Sequence, residues 1–158
     1  MKKQRTKGIA LGAMVCAIYV LVTLVIKPIA SGPIQVRISE ALCVMPCFTP
    51  YAIPGLFLGC LIANLLTGSL FLDVIFGSIA TLIGAIGTYL LRKNKYLATL
   101  PPIISNTIIV PFVLSYVYSF PGSIPYFMLT VGIGEIVSCG VLGIVVYNFM
   151  KNIVFKNK

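Results

Sequence analysis

Residues 40–55 read Glu40-Ala-Leu-Cys-Val-Met-Pro46-Cys-Phe-Thr-Pro50-Tyr-Ala-Ile-Pro54-Gly55, and the fold turns on whether this stretch begins one helix or two. Proline removes a backbone donor and clashes with the preceding turn, so Pro46, Pro50 and Pro54 argue for a break. Hydropathy alone does not decide, because residues 40–70 are apolar almost throughout. Charge placement decides. Lys2, Lys3, Arg5 and Lys7 precede the first apolar run, Arg92, Lys93 and Lys95 follow the fourth, and Lys151, Lys156 and Lys158 close the chain, ten of its 12 basic residues. Basic flanks of membrane spans stay in the cytoplasm. Two helices within 40–70 put all three clusters on that side; one helix leaves six of the ten outside.

The spans are therefore expected at 8–28, 39–49, 51–68, 72–91, 98–118 and 124–150, an all-α integral membrane protein with six helices and both termini cytoplasmic. Composition agrees. With 59% hydrophobic and 9% charged residues in 158 positions, the chain has too little polar surface to cover a soluble globule. At roughly 20 residues per span there is room for one membrane domain, 1–158, and none for an ATPase. No cleavable leader is expected, since the apolar run after Lys7 exceeds a signal peptide's core and lacks a small-residue cleavage site.

The net charge of +9 sits at membrane-flanking positions, where it serves topology rather than nucleic acid. Cys16, Cys43, Cys47, Cys60 and Cys139 all lie in apolar segments, and the chain has no histidine and no CxxC. Cys43 and Cys47 share a helix face at i, i+4, but this pattern without histidine points to packing residues, not to a metal or redox site. Without a nucleophile elbow or a glycine-rich phosphate loop, no catalytic residue and no cofactor is expected.

Small residues mark close helix contacts: Gly8 and Gly12, then Ala13 and Ala17, in the first span, and Gly55, Gly59 and Ala63 in the third. For the third-span stripe, packing within the bundle leads. For Ala13 and Ala17 a partner helix is the competing reading. The only acids are Glu40, Asp73 and Glu135. A carboxylate at bilayer depth costs on the order of 2.5–3.5 kcal/mol or more and so needs a partner, water or a ligand. Glu40 opens the second span, three residues after Arg37, and either pairs with Arg37 or meets a ligand. Asp73 opens the fourth, where it either caps a helix N-terminus or faces a ligand. Glu135 falls roughly 14 Å below the outer end of the sixth, with no base nearby in sequence. Asn64, Thr81 and Asn106 share the outer and central zone. From Ile34 to Ser39 apolar and polar residues alternate, the pattern of a short extended lid with one wet face, carrying Gln35 and Arg37 over this polar zone. Gly132 and Gly134 open space beside Glu135, and Tyr116, Tyr126 and Phe127 are candidates for stacking on a planar ligand.

Several of these stretches together resemble the QueT queuosine-precursor transporters, substrate-binding S components of energy-coupling factor (ECF) transporters. They are Ile34-Gln-Val-Arg-Ile-Ser-Glu-Ala-Leu42, Ile53-Pro-Gly-Leu-Phe-Leu-Gly59 with Ala63-Asn64, Asp73-Val-Ile-Phe-Gly-Ser78 with Ala80-Thr81, Pro101-Pro102 with Asn106, and Val131-Gly-Ile-Gly-Glu135. The resemblance implies a six-helix S component in a bacterial cell membrane that captures a 7-deazaguanine from outside. It also implies partners, one membrane coupling subunit and two cytoplasmic ATPases, with Ala13 and Ala17 facing the coupling subunit. Such a ligand presents adjacent N–H and amino donors that one carboxylate accepts two-pronged, which suits Glu135. Its carbonyl needs a donor such as Asn106, Asn64 or Gln35, while Arg37 latches the loop or pairs with Glu40. Asp73 or Glu40 would neutralise an aminomethyl cation. Two other readings of the residues stay open: a solitary secondary transporter coupling ions through Glu135, and a non-transporting membrane scaffold or receptor.

Overall fold

The computed structural model describes residues 2–26, 37–117 and 122–156. Among them every regular element is helical, and they group into six helices. The first is Lys2–Ile26, the second Ile38–Cys47, the third Ala52–Leu66 and the fourth Phe71–Leu90. The fifth, Lys95–Val117, and the sixth, Ile124–Ile153, are each compound. Four of the six are long and apolar enough to cross a bilayer unaided; the second and third are shorter than the spans expected for them. The large apolar side chains exposed on the bundle, Ile9, Met14, Leu21, Val25, Leu90 and Phe149 among them, are what a lipid-facing surface requires.

The second helix departs most from expectation. It is a 3-10 helix of ten residues, Pro46 included, so at about 2.0 Å per residue it covers only some 20 Å of a roughly 30 Å hydrocarbon layer. It packs against the first, third, fourth and sixth helices and is the bundle's central element. Residues Ser39 to Ala41 and Cys43 to Pro46 are buried. The alternating lid expected from Ile34 to Ser39 is not formed where it is described. Arg37 is extended, but the helix begins at Ile38, and Ser39 points inward while Ile38 faces out. Gln35 and the rest of that segment up to Val36 lie outside the described residues. Three residues per turn also change which side chains align: Glu40 and Cys43 stack at i, i+3, and Cys47 is left half-buried instead of sharing Cys43's face.

Close crossings use the small residues. A Cβ on Gly55 would stand 2.4 Å from the Gly12 carbonyl oxygen, and one on Gly12 would stand 2.5 Å from that of Tyr51, so the first and third helices meet backbone to backbone. Gly59 makes room for Tyr19 and Cys16. The Pro101-Pro102 pair has the same role in the fifth helix, where Pro102 lies against Gly84 and Pro101 against Gly87 of the fourth. Ser105 crosses the same interface, donating to the Ala80 carbonyl at 2.9 Å. Two π-turns interrupt the longer helices, Val113–Val117 in the fifth and Ile136–Leu142 in the sixth. The second follows Glu135 directly and buries both Ser138 and Cys139.

Candidate functional site

Buried polar side chains collect around the central helix. Glu40, fully buried, accepts a hydrogen bond from the Tyr19 hydroxyl of the first helix and another from the Cys43 thiol at 2.8 Å. From the sixth helix the Cys139 thiol reaches the Glu135 carboxylate at 3.3 Å and the Glu40 backbone carbonyl at 3.4 Å. Asn106 of the fifth helix is buried as well and lies within reach of the Glu135 carboxylate. Glu40 opens the second helix as expected but is fully buried, and the Cys139 thiol joins its backbone carbonyl to the Glu135 carboxylate. Burying two carboxylates together is costly unless each is satisfied, and here a phenol and two thiols share that task.

A second group adjoins the first. Asn64 donates weakly to the Cys60 sulfur at 3.6 Å, and Asn64 and Asp73 both border the space over Gly77, where a Cβ would sit 3.1 Å from the Asn64 amide nitrogen and 3.5 Å from an Asp73 oxygen. Asp73 is buried in the first turn of the fourth helix, where the macrodipole favours an acid. Thr81 is buried on the same face and donates back to the Gly77 carbonyl at 3.1 Å, the local bond of a threonine within a helix. Arg37 links the two groups, since Tyr19, Cys60, Asp73 and Glu40 all act on its charge. Glu40's own oxygens are engaged by Tyr19 and Cys43.

Of the residues singled out from sequence, Arg37, Glu40, Asn64, Asp73, Thr81, Asn106 and Glu135 thus come together, and Gln35 lies outside the described residues. The aromatic candidates do not join them. Tyr116 and Tyr126 are exposed, and Phe127 is buried in a separate apolar cluster with Val110, Leu114 and Val131. Sequence reasoning missed Tyr19, Cys43 and Cys139. Tyr19 continues the buried face of Gly8, Gly12 and Val15 at helical spacing, a pattern visible in the sequence. The cysteines carried no such signal, because Cys139 meets the second helix only in three dimensions. Thr107 Oγ1, beside Gly132, and Ser138 Oγ are buried without a hydrogen-bond partner among the described residues.

Ala13 and Ala17 lie elsewhere, exposed on the first helix. With Ile9, Cys16, Val20, Leu21, Pro54, Leu58 and Ile62 they line an apolar surface groove of about 670 Å³ between the first and third helices.

Comparison with known proteins accords with the apolar helices and their polar core. The family model described as QueT transporter matches residues 9–152. A curated relative, the Queuosine precursor transporter QueT of Lactococcus lactis subsp. cremoris (strain MG1363), is 39% identical over 85 residues, covering 52% of this chain and 50% of that protein. The chain spans about half the length of the curated relative it matches. No solved structure matches. With four helices long and apolar enough to cross a membrane and a family model that covers nearly its whole length, the chain belongs to the QueT transporter family.

Proposed function

We propose that this protein is the substrate-binding subunit of an ECF importer in a bacterial cell membrane, and that it takes a queuosine precursor of the 7-deazaguanine class from outside. The observation that carries this reading is the buried set of Glu135, Asn106 and Glu40 near Arg37, in a chain of the QueT transporter family. One carboxylate accepts the paired N–H and amino donors of such a base in a two-pronged geometry, and an amide answers the ring carbonyl. Glu135 takes the first role and Asn106 the second; Asn64, Asp73 and Thr81 border the space from the other side. With both termini cytoplasmic, the apolar groove at Ala13 and Ala17 faces a membrane coupling subunit, and two cytoplasmic ATPases supply the energy.

The direct test is calorimetric or fluorescence titration of the purified protein with 7-cyano- and 7-aminomethyl-7-deazaguanine and with queuine. Glu135→Gln should weaken the preferred ligand roughly tenfold to a hundredfold, the value of about 1.5–3 kcal/mol for hydrogen bonds to a charged group. Unchanged affinity removes Glu135 from the pocket. Absence of binding by all three compounds overturns the substrate class.

A further inference from the structure

The second helix offers a carboxylate and a thiol, and the sixth a thiol, to the same point. Glu40 and Cys43 stack on the 3-10 helix, and Glu135 and Cys139 lie a turn apart on the sixth, across the start of its π-turn. The ligand atoms of Glu40, Cys43 and Cys139 all fall within 4.8 Å of one another, and Glu135 stands 3.3 Å from the Cys139 sulfur. We infer that Glu40, Cys43 and Cys139 form a binding site for a thiophilic divalent cation of the Zn²⁺ class.

Donor type, geometry and charge support it. Two sulfurs with carboxylate oxygens form a mixed set suited to a borderline-soft ion, and facing carboxylate-bearing helix pairs are a recurrent way for bundle cores to hold metals. With metal–sulfur bonds of about 2.3 Å and metal–oxygen bonds of about 2.0–2.2 Å, tetrahedral ligands stand about 3.5 Å apart. The 2.8 Å between Cys43 and Glu40 therefore has to open by several tenths of an ångström. A supporting contact of the kind that orients metal ligands is present, since the Tyr19 hydroxyl donates to Glu40. In the metal-free protein thiols, weak donors, partner two adjacent buried carboxylates, whereas a divalent cation neutralises them directly. Binding replaces the two thiol hydrogens, which leave as protons, and ties the second helix to the sixth.

Cd²⁺ alone is the probe, so the outcome is independent of any deazaguanine binding. Purified, reduced protein titrated with Cd²⁺ should develop the near-ultraviolet thiolate-to-cadmium absorption, saturate at a single ion per chain, and release protons into weak buffer. Zn²⁺ should displace the signal. Cys43→Ser/Cys139→Ser should abolish it, with folding checked by size-exclusion chromatography. Cys16→Ser/Cys47→Ser, which alters only half-buried thiols, should keep it and covers the case in which the first variant does not fold. No absorption in the wild type overturns the site, as does a signal lost with Cys16 and Cys47 or retained without Cys43 and Cys139.

Discussion

Tyr19 shows how much rests on single hydrogen bonds when a bilayer surrounds the protein. Its hydroxyl donates to a carboxylate oxygen of Glu40 that has no access to water, and its ring fills the space left by Gly59. Tyr19→Phe keeps the ring and removes the donor, leaving one oxygen of a buried acid unsatisfied. The expected cost is about 1–3 kcal/mol, seen as a lower midpoint of thermal unfolding in detergent. Tyr116→Phe is the control, because Tyr116 is exposed and its substitution should leave the midpoint in place. Equal midpoints for both variants remove Tyr19 from the support of Glu40. The acids themselves were legible in the sequence, since three carboxylates in an apolar chain need partners. Their partners were not, because Tyr19 to Glu40 and Cys139 to Glu40 span sequence separations that no local pattern encodes.

At the scale of elements, glycines decide which helices touch and how closely. Gly55 packs against backbone that has no room to yield, so Gly55→Ala drives a methyl into the Gly12 carbonyl and forces the first and third helices apart. Overpacking of this kind costs about 1–3 kcal/mol. Gly132→Ala is the contrast: its added Cβ meets Thr107 at 3.4–3.5 Å, near ordinary contact. Thermal unfolding of the two variants side by side should show a clear loss for the first and little change for the second. The third-span stripe was readable as packing, and the helix count followed from where basic residues fall. The winding of the second helix was not readable. Its sequence fits an α-helical i, i+4 pairing of Cys43 with Cys47, whereas the 3-10 form, packed on neighbours from both halves of the chain, eclipses Glu40 with Cys43 and turns Cys47 away. Likewise the π-turn after Glu135 has no signature in an apolar run such as Ile136–Leu142.

At the scale of the whole molecule, the polar core lies inside the bundle and the apolar groove on its surface, so the proposed function assigns ligand capture and partner docking to separate places. The groove is walled by the first and third helices, with Ala13 and Ala17 in its lining; Asn106 and Glu135 sit on the fifth and sixth helices respectively, among the buried groups around the second. Leucine at both alanines fills the groove with branched side chains while leaving Gly8, Gly12, Val15 and Tyr19, the residues on the buried face of the same helix, unchanged. Ala13→Leu/Ala17→Leu should therefore bind the deazaguanine ligand as the wild type does, yet fail to co-purify with the coupling subunit and fail to support uptake in cells. Co-purification and uptake at wild-type levels would remove the groove from docking and leave ligand capture untouched. Loss of ligand binding in the same variant would show instead that the two places are mechanically joined, with the first helix transmitting groove occupancy to Glu40 through Tyr19.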